Sequence, residues 1–490
     1  MILEATEIIK LRSYVNGQWI DLSSTGDYLM DPNTGEQRQA KCATEPADID
    51  QALQTASDLH SGGLIENSPL RQRLDLLHDI AEDVDAHQDR IAIQDSMNTG
   101  VPISTTRLIA STLAERIRTA AREMEELGLS VTLGTEQRPV FLLRKPLGPA
   151  LVVAPWNAPT FTMIGKVAAA MAAGCPVILK PSENAPGGCQ IVAEIIADRM
   201  LRNSYPAAAF QLVHGGAPVG ALLTADSRIE AVSFTGGGVA GRSVAKAAAE
   251  NLNPMQMELG SNNPVIILAD VDVQQAARSI AEGMTRLNGQ WCEAPGKILI
   301  HESVHDVFVE QLRQELSTLP MGHCLDEETQ VGPLAFERHL RGLQTSIERL
   351  CALGGRLIPT QDIPEDGGWF MAPGIIIGCH ADDANEELFG PVVTVHKVST
   401  EEEAIRHANA PGGGLDAYVF GRDVPRALRI AAQIHAGEVR INGTLMSDLA
   451  DGSQQTFWGS SGIGGHGPNS GVRFFIGDRV IGVDRTDLTL

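Results

Sequence analysis

Leu151-Val152-Val153-Ala154-Pro155-Trp156-Asn157-Ala158-Pro159 opens the part of the chain whose grammar decides the fold. Four apolar residues run without alternation and stop at a proline-bounded turn. Comparable runs follow at Val177-Ile178-Leu179, Phe210-Gln211-Leu212-Val213, Ala231-Val232-Ser233-Phe234 and Val265-Ile266-Ile267-Leu268, with helical stretches between them. A strand that is apolar throughout needs cover on both faces, so the five runs predict a parallel sheet flanked by helices. The alternation returns less strictly at Ile375-Ile376-Ile377, Val392-Val393-Thr394-Val395, Ala417-Tyr418-Val419-Phe420 and Val439-Arg440-Ile441, and predicts a second α/β unit. Ligands bind such sheets outside the carboxyl ends of the strands.

Upstream, turns at Asn16-Gly17 and Asp31-Pro32-Asn33-Thr34-Gly35 predict short strands. Residues 49–60, 70–99 and 104–127 carry apolar side chains at helical spacing and read as covering helices. Residues 130–145 alternate apolar and polar around Gly134-Thr135-Glu136, which predicts a hairpin.

A chain of 490 residues, 43% apolar and 20% charged, can bury cores in two or more domains. Its formal charge of −23 argues against nucleic-acid binding, which needs clustered Lys and Arg. Seven scattered cysteines without a C-x-x-C pair point to neither a disulfide framework nor a metal site, and to a reducing compartment. The acidic start, Met1 to Glu7, does not read as a secretory leader, and no apolar stretch is long enough to span a bilayer; a cytoplasmic protein is expected.

The stretch Leu287-Asn288-Gly289-Gln290-Trp291-Cys292-Glu293-Ala294-Pro295 sets a cysteine in a loop between a helical segment, 273–286, and the apolar strand Ile298-Leu299-Ile300. A thiolate there is a strong nucleophile, although an unperturbed thiol is only a few per cent ionised at neutral pH. Read alone, Cys292 is more often a small buried hydrophobe, the commoner fate of a free cysteine.

Further strings collect at the strand ends: Lys180-Pro181-Ser182-Glu183, Phe234-Thr235-Gly236-Gly237-Gly238-Val239-Ala240-Gly241 and Met257-Glu258-Leu259-Gly260-Ser261-Asn262-Asn263-Pro264. Beyond Cys292 come Glu386-Glu387-Leu388-Phe389-Gly390-Pro391 and Ala436-Gly437-Glu438-Val439-Arg440-Ile441-Asn442. Each is weak alone, but in this order they resemble the aldehyde dehydrogenase superfamily along nearly the whole chain. The resemblance implies a Rossmann-like dinucleotide-binding domain (1–127 and 146–258), a second α/β catalytic domain (259–466) and a small β bridging element (128–145 and 467–490) that joins subunits of a homodimer or homotetramer.

The chemistry implied is NAD-dependent oxidation of an aldehyde to the acid, with NADP admissible. Cys292 forms a thiohemiacetal and then a thioester, Asn157 donates to the tetrahedral oxygen, and Glu258 is the general base for hydrolysis. Met257 and Leu259 give Glu258 an apolar setting that raises its proton affinity. The resemblance also assigns the cofactor contacts. Pro155, Trp156, Lys180, Ser182, Glu183, Gly216, Phe234, Thr235, Gly236, Gly237, Leu259, Glu387 and Phe389 are the residues it implies, with Lys180 and Glu183 at the adenosine ribose, Gly216 in a turn near the adenine, Gly236 and Gly237 (with Gly241) at the pyrophosphate, and Glu387 and Phe389 at the nicotinamide ribose and ring. A carboxylate at Glu183 accepts from a ribose 2′-hydroxyl and repels a 2′-phosphate.

Trp156, Phe161, Met163, Trp291 and Trp458 are the expected substrate-pocket side chains. The absence of basic residues between Met446 and Phe457 speaks against an acidic semialdehyde, and Asp448 and Asp451 either fit a cationic substrate or cap a solvent-exposed loop. Departures from the family pattern are Gly237 for serine, Ser261 and Asn262 for glycine and lysine, His466 for glutamate, and Gln454-Gln455-Thr456-Phe457 for Pro-Phe-Gly-Gly. A relative that transfers the acyl group to coenzyme A or reduces an activated acid would not depend on Glu258, and a catalytically inactive binding relative would turn over no aldehyde.

Overall fold

In the computed structural model, which describes residues 8–365 and 367–485, the apolar runs form two separate twisted sheets. Met1 to Glu7, on which the expectation about a secretory leader rests, and the last five positions of the 467–490 segment lie outside the described residues.

The first sheet runs Gln18–Asp21, Arg12–Val15, Phe210–Leu212, Val177–Lys180, Ala150–Val153, Ala231–Gly236, Met255–Leu259 and Gly462–Ile463. Its five central strands are parallel, and the flanking strands pair antiparallel. Alternate side chains explain the double cover. Ala150, Val152, Val177, Leu179 and Leu212 pack under the helices Leu70–Ala86, Ile103–Leu127, Pro159–Ala173 and Gly187–Arg202. Leu151, Ile178 and Val232 face Pro46–Ser61 and Gly238–Glu250 on the other side. The expected helix 70–99 is interrupted at His87 and continues as Gln88–Thr99.

One expectation fails here. The Val265-to-Leu268 run is not in the first sheet. Its strand, Asn263–Ile267, lies in the second, between Pro295–His301 and Asp416–Phe420. The fifth parallel strand of the first sheet is instead Met255–Leu259, whose sequence MQMEL puts two polar side chains on one face. The second sheet has the order Arg356–Pro359, Gly374–Ile377, Val392–Val398, Pro295–His301, Asn263–Ile267, Asp416–Phe420, Glu438–Ile441, parallel except at its first strand. Helices Val273–Thr285 and His305–Ser317 cover one face, and Glu401–Ala408 and Val424–Ala431 the other.

The 130–145 hairpin has strands Ser130–Thr132 and Val140–Pro146, and the latter pairs with Ile476–Gly482 in a three-stranded antiparallel sheet. Among the described residues no helix is long and apolar enough to cross a membrane.

Because Phe210 is fully buried where strand Phe210–Leu212 begins, Phe210→Ala is expected to cost about 3–5 kcal/mol through lost transfer energy and an unfilled cavity. The shift of the urea unfolding midpoint measures this, and an unchanged midpoint would contradict the packing.

Candidate active site

The strand order of the first sheet reverses between Ala150–Val153 and Ala231–Gly236, which opens a crevice at their carboxyl ends. The residues from Pro155 to Asn157 leave the first of these strands, and Glu258 ends the strand beyond the second. The second sheet brings Cys292 to the same place, between helix Val273–Thr285 and strand Pro295–His301.

A tight reversal delivers the cysteine. Leu287, Asn288 and Gly289 all have positive φ (51°, 58° and 73°). Two non-glycine residues in the left-handed region are costly unless their surroundings enforce it. Asn288 supplies that enforcement, since its amide donates to Gly100 O and Pro333 O (both 2.9 Å) and accepts from Gly332 N (2.8 Å). Gly289 packs so closely on the Gly390 backbone that any Cβ would overlap it. Gln290 bonds Thr99 O and Ala335 N, and Asn263 Nδ2 donates to Cys292 O and Ala294 O at 2.7 and 2.8 Å.

Cys292 emerges half-buried with its Sγ 3.6 Å from Glu258 Oε1. Burial, and then the charges of Glu258, Glu293, Glu387 and Asp416, push its pKa well above that of a free thiol. The resting residue is therefore a thiol donating toward the carboxylate. Asn157 Nδ2 donates to Gln290 O at 2.8 Å, which ties its amide to the turn that carries Cys292 and leaves a second N–H to spare. Among the described residues the Cys292 N–H has no acceptor.

Glu258 departs from the expectation of a raised proton affinity. Burial raises it, but the charges of Lys166 and His466 outweigh burial and hold the carboxyl well below its ordinary range. Lys166 Nζ lies 3.1 Å from Oε2, His466 Nε2 lies 3.5 Å away, and the Thr235 hydroxyl donates to the same oxygen at 3.2 Å. Lys166 was not anticipated from the sequence, although a signal was available: it is the one charge in the apolar helix PTFTMIGKVAAAMAA and so required a partner.

Toward the cofactor side, Lys180 Nζ donates to Pro181 O (3.2 Å) and lies 3.9 Å from Glu183, whose carboxylate faces Gly216. Pro155 and Ser182 are buried, and the Ser182 hydroxyl accepts from Asn184 N. Gly236 ends its strand, and Gly237 caps helix Gly238–Glu250 in open space, leaving the helix N-terminus accessible. Phe234 and Leu259 join Met257 in a small apolar cluster at the neighbouring strand ends. Glu387 accepts from Ser261 N at 3.0 Å and lies against Gly260, and burial pushes its pKa up to about 8. Phe389, at φ 55°, packs edge-on to Trp156 in an aromatic cluster with Phe336 and His339, two residues that no sequence motif singled out.

Residues 19–481 match the model of the aldehyde dehydrogenase family. The chain belongs to that family. It is 31% identical to a (Z)-2-((N-methylformamido)methylene)-5-hydroxybutyrolactone dehydrogenase of Acinetobacter baylyi, over 94% of this chain and 93% of that one. A putative aldehyde dehydrogenase of Staphylococcus aureus is 30% identical over 95% and 97%. Among solved structures, betaine aldehyde dehydrogenase from Staphylococcus aureus in complex with NAD+ superposes with a TM-score of 0.91 at 25% identity, covering 100% of this chain and 97% of the other. A putative aldehyde dehydrogenase from Burkholderia cenocepacia gives 0.90 at 27% identity, covering 97% and 98%.

The departures from the family pattern are absorbed structurally. Ser261 and Asn262 tie the turn after Glu258 to the second sheet through Glu387, Ala384 and Gly412. Gln455 Nε2 donates to Asp416 Oδ1 at 2.7 Å, and the buried Phe457 ring packs on His466. Of the five expected pocket side chains, Met163 (0% exposed) and Trp291 (3%) lie in the core, the latter donating to Gly283 O. Trp156 faces Phe389, and Trp458 stacks near His435 at the surface. Phe161 is partly buried beneath a guanidinium.

Removing the negative charge next to Cys292 should lower its pKa. Glu258→Gln is therefore expected to move the pH profile of iodoacetamide labelling at Cys292, followed by peptide mass spectrometry, to lower pH. An unmoved profile would mean that the carboxylate does not act on the thiol.

Proposed function

We propose that Cys292, Asn157 and Glu258 together oxidise an aldehyde to its carboxylic acid with NAD, through a thioester hydrolysed by water. The observation that carries this reading is the 3.6 Å approach of the Cys292 thiol to an ionised Glu258 beside the Asn157 amide. Glu258 accepts the thiol proton as sulfur attacks the carbonyl carbon. The spare Asn157 N–H and the Cys292 backbone N–H suit the developing oxyanion, each such donor contributing on the order of 10²- to 10³-fold in rate. Bound NAD supplies the hydride acceptor for collapse of the thiohemiacetal. Glu258 passes the thiol proton to solvent by way of the partly exposed His466, 3.5 Å away, and so regains the charge with which it takes a proton from the water that attacks the thioester; Lys166 holds that charge in place.

The chain's own groups fit the cofactor. The open helix N-terminus at Gly237 suits a pyrophosphate, Lys180 and Glu183 suit a ribose diol, and Glu387 with Phe389 suits the nicotinamide ribose. The carboxylate at Glu183 favours NAD over NADP. The cofactor domain is taken as 1–127 with 146–258, the catalytic domain as 259–466, and the bridging element as 128–145 with 467–490. Seven free cysteines support a reducing, cytoplasmic setting. Val131, Phe141, Val480 and Ile481 are exposed on the three-stranded sheet, and Leu133 and Val483 just past its strand ends; its edges need cover, and this supports a homodimer or homotetramer.

With a panel of aldehydes, NADH formation should be abolished by Cys292→Ser. Glu258→Gln should leave a stoichiometric burst followed by turnover about 10²- to 10⁴-fold slower. Retention of most activity by Cys292→Ser would end the mechanism, and full activity of Glu258→Gln only in the presence of coenzyme A would redirect it to acyl transfer. Light scattering should show an oligomer that Val480→Asp weakens, and a monomeric parent chain would remove the bridging role.

A further inference from the structure

The wall of the crevice holds a cation that the mechanism does not use. Arg116 projects from the long helix Ile103–Leu127, and its guanidinium carbon sits 3.5 Å from the centre of the Phe161 ring. Phe161 stands one turn after Asn157 on helix Pro159–Ala173, and an Arg116 nitrogen also approaches Gly165 on that helix. The charges Arg116 feels most are those of Asp448, on the loop opposite, and of Glu258 and Glu293, which flank the thiol. The side chain thus lies against the helix after Asn157, within electrostatic reach of Asp448 and of the two carboxylates next to Cys292.

Three properties point to a ligand. The residue is exposed, so a small molecule can reach it. It is also enclosed enough that desolvation pulls its proton affinity below that of a free guanidinium, although a guanidinium remains charged in proteins. Finally, among the described residues it forms no hydrogen bond and no ion pair; Phe161 holds one face of the plane, and its N–H groups remain available. A flat cation fixed by stacking, with free donors along its edge, matches the two oxygens of a carboxylate.

We propose that Arg116 is a specificity-determining residue that receives a carboxylate at the far end of the substrate, making the preferred substrates aldehyde acids. This rests on the aldehyde-oxidising reading above. It runs against the expectation drawn from the acidic 446–457 loop, because the basic group comes from a helix more than 300 positions earlier. A quaternary ammonium aldehyde would place like charges together at the same point. Asp448 competes for the guanidinium, so a substrate carboxylate has to displace its influence.

The test compares kcat/KM for 4-oxobutanoate and 4-carboxybenzaldehyde with that for their neutral amides, and with betaine aldehyde as the cationic probe. The parent enzyme should favour each acid over its amide by on the order of 10- to 100-fold, the range of a charge-assisted pair, and should disfavour the cation. Arg116→Met should collapse the acid-to-amide ratio toward one, mainly through KM for the acid, and Arg116→Lys should restore part of it. Asp448→Asn should raise the ratio. A parent enzyme that oxidises the amides but shows no preference for the acids, or a ratio that survives Arg116→Met, would overturn the proposal while leaving aldehyde oxidation intact. Failure to oxidise any aldehyde would overturn both.

Discussion

A buried carboxylate shared between a lysine and a thiol governs this site. Taking Glu258 and Lys166 out of water costs several kcal/mol per ion, so neither tolerates the loss of the other. The pair fixes the protonation pattern: the carboxyl is ionised despite its burial, and the neighbouring thiol keeps its proton. A neutral resting thiol is slow to oxidise, because the thiolate is the reactive form. The base that can remove its proton already stands 3.6 Å away. Reactivity is in this way confined to conditions in which a substrate carbonyl consumes the thiolate as it forms.

Such an arrangement demands rigid delivery from two sheets. Glu258 is fixed by Ala231–Gly236 on one side, where Thr235 lies opposite it, and on the other by Gly462–Ile463, a strand contributed from the far end of the sequence. Gln256, on the same face, donates to Gly465 O and Ser470 O and binds that late segment further. Cys292 is held by the left-handed turn and by Asn263, which begins the strand after Glu258 in the chain but belongs to the second sheet. The short link from Leu259 to Asn263 therefore couples base and nucleophile mechanically. Polar residues at Ser261 and Asn262 serve that link by bonding across to Glu387 and Ala384.

Strands buried on both faces were legible because a continuous apolar run leaves no face suited to water. Which sheet owned a run was not legible: Val265 and its neighbours carry the same burial signature as Leu151, and only pairing across the fold separates them. Met255–Leu259 escaped notice because Gln256 and Glu258 break the apolar run, and they do so because that face meets the site rather than a helix. The trio Cys292, Asn157 and Glu258 could be named in advance through ordered short strings. Their electrostatics could not, since the deciding partner, Lys166, is distant from Glu258 in the chain and close only in space. Aromatic residues misled for a related reason. Trp291 satisfies its N–H on Gly283 and turns inward, which residue type alone does not reveal.

An anionic substrate must also approach a chain of formal charge −23. The opposition is weaker than the number implies, because exposed charges are screened beyond about 8 Å at physiological ionic strength. Inside the crevice screening falls away, and the local inventory decides. There Arg116 faces Asp448, while Glu293, whose pKa is pushed up to about 7 by burial, carries only part of a charge near neutrality. Glu258 is engaged by Lys166 and so projects little net field toward the entrance. The group that a bound carboxylate meets at full strength is the stacked guanidinium, so the acidic exterior slows encounter modestly while the wall of the site retains the anion.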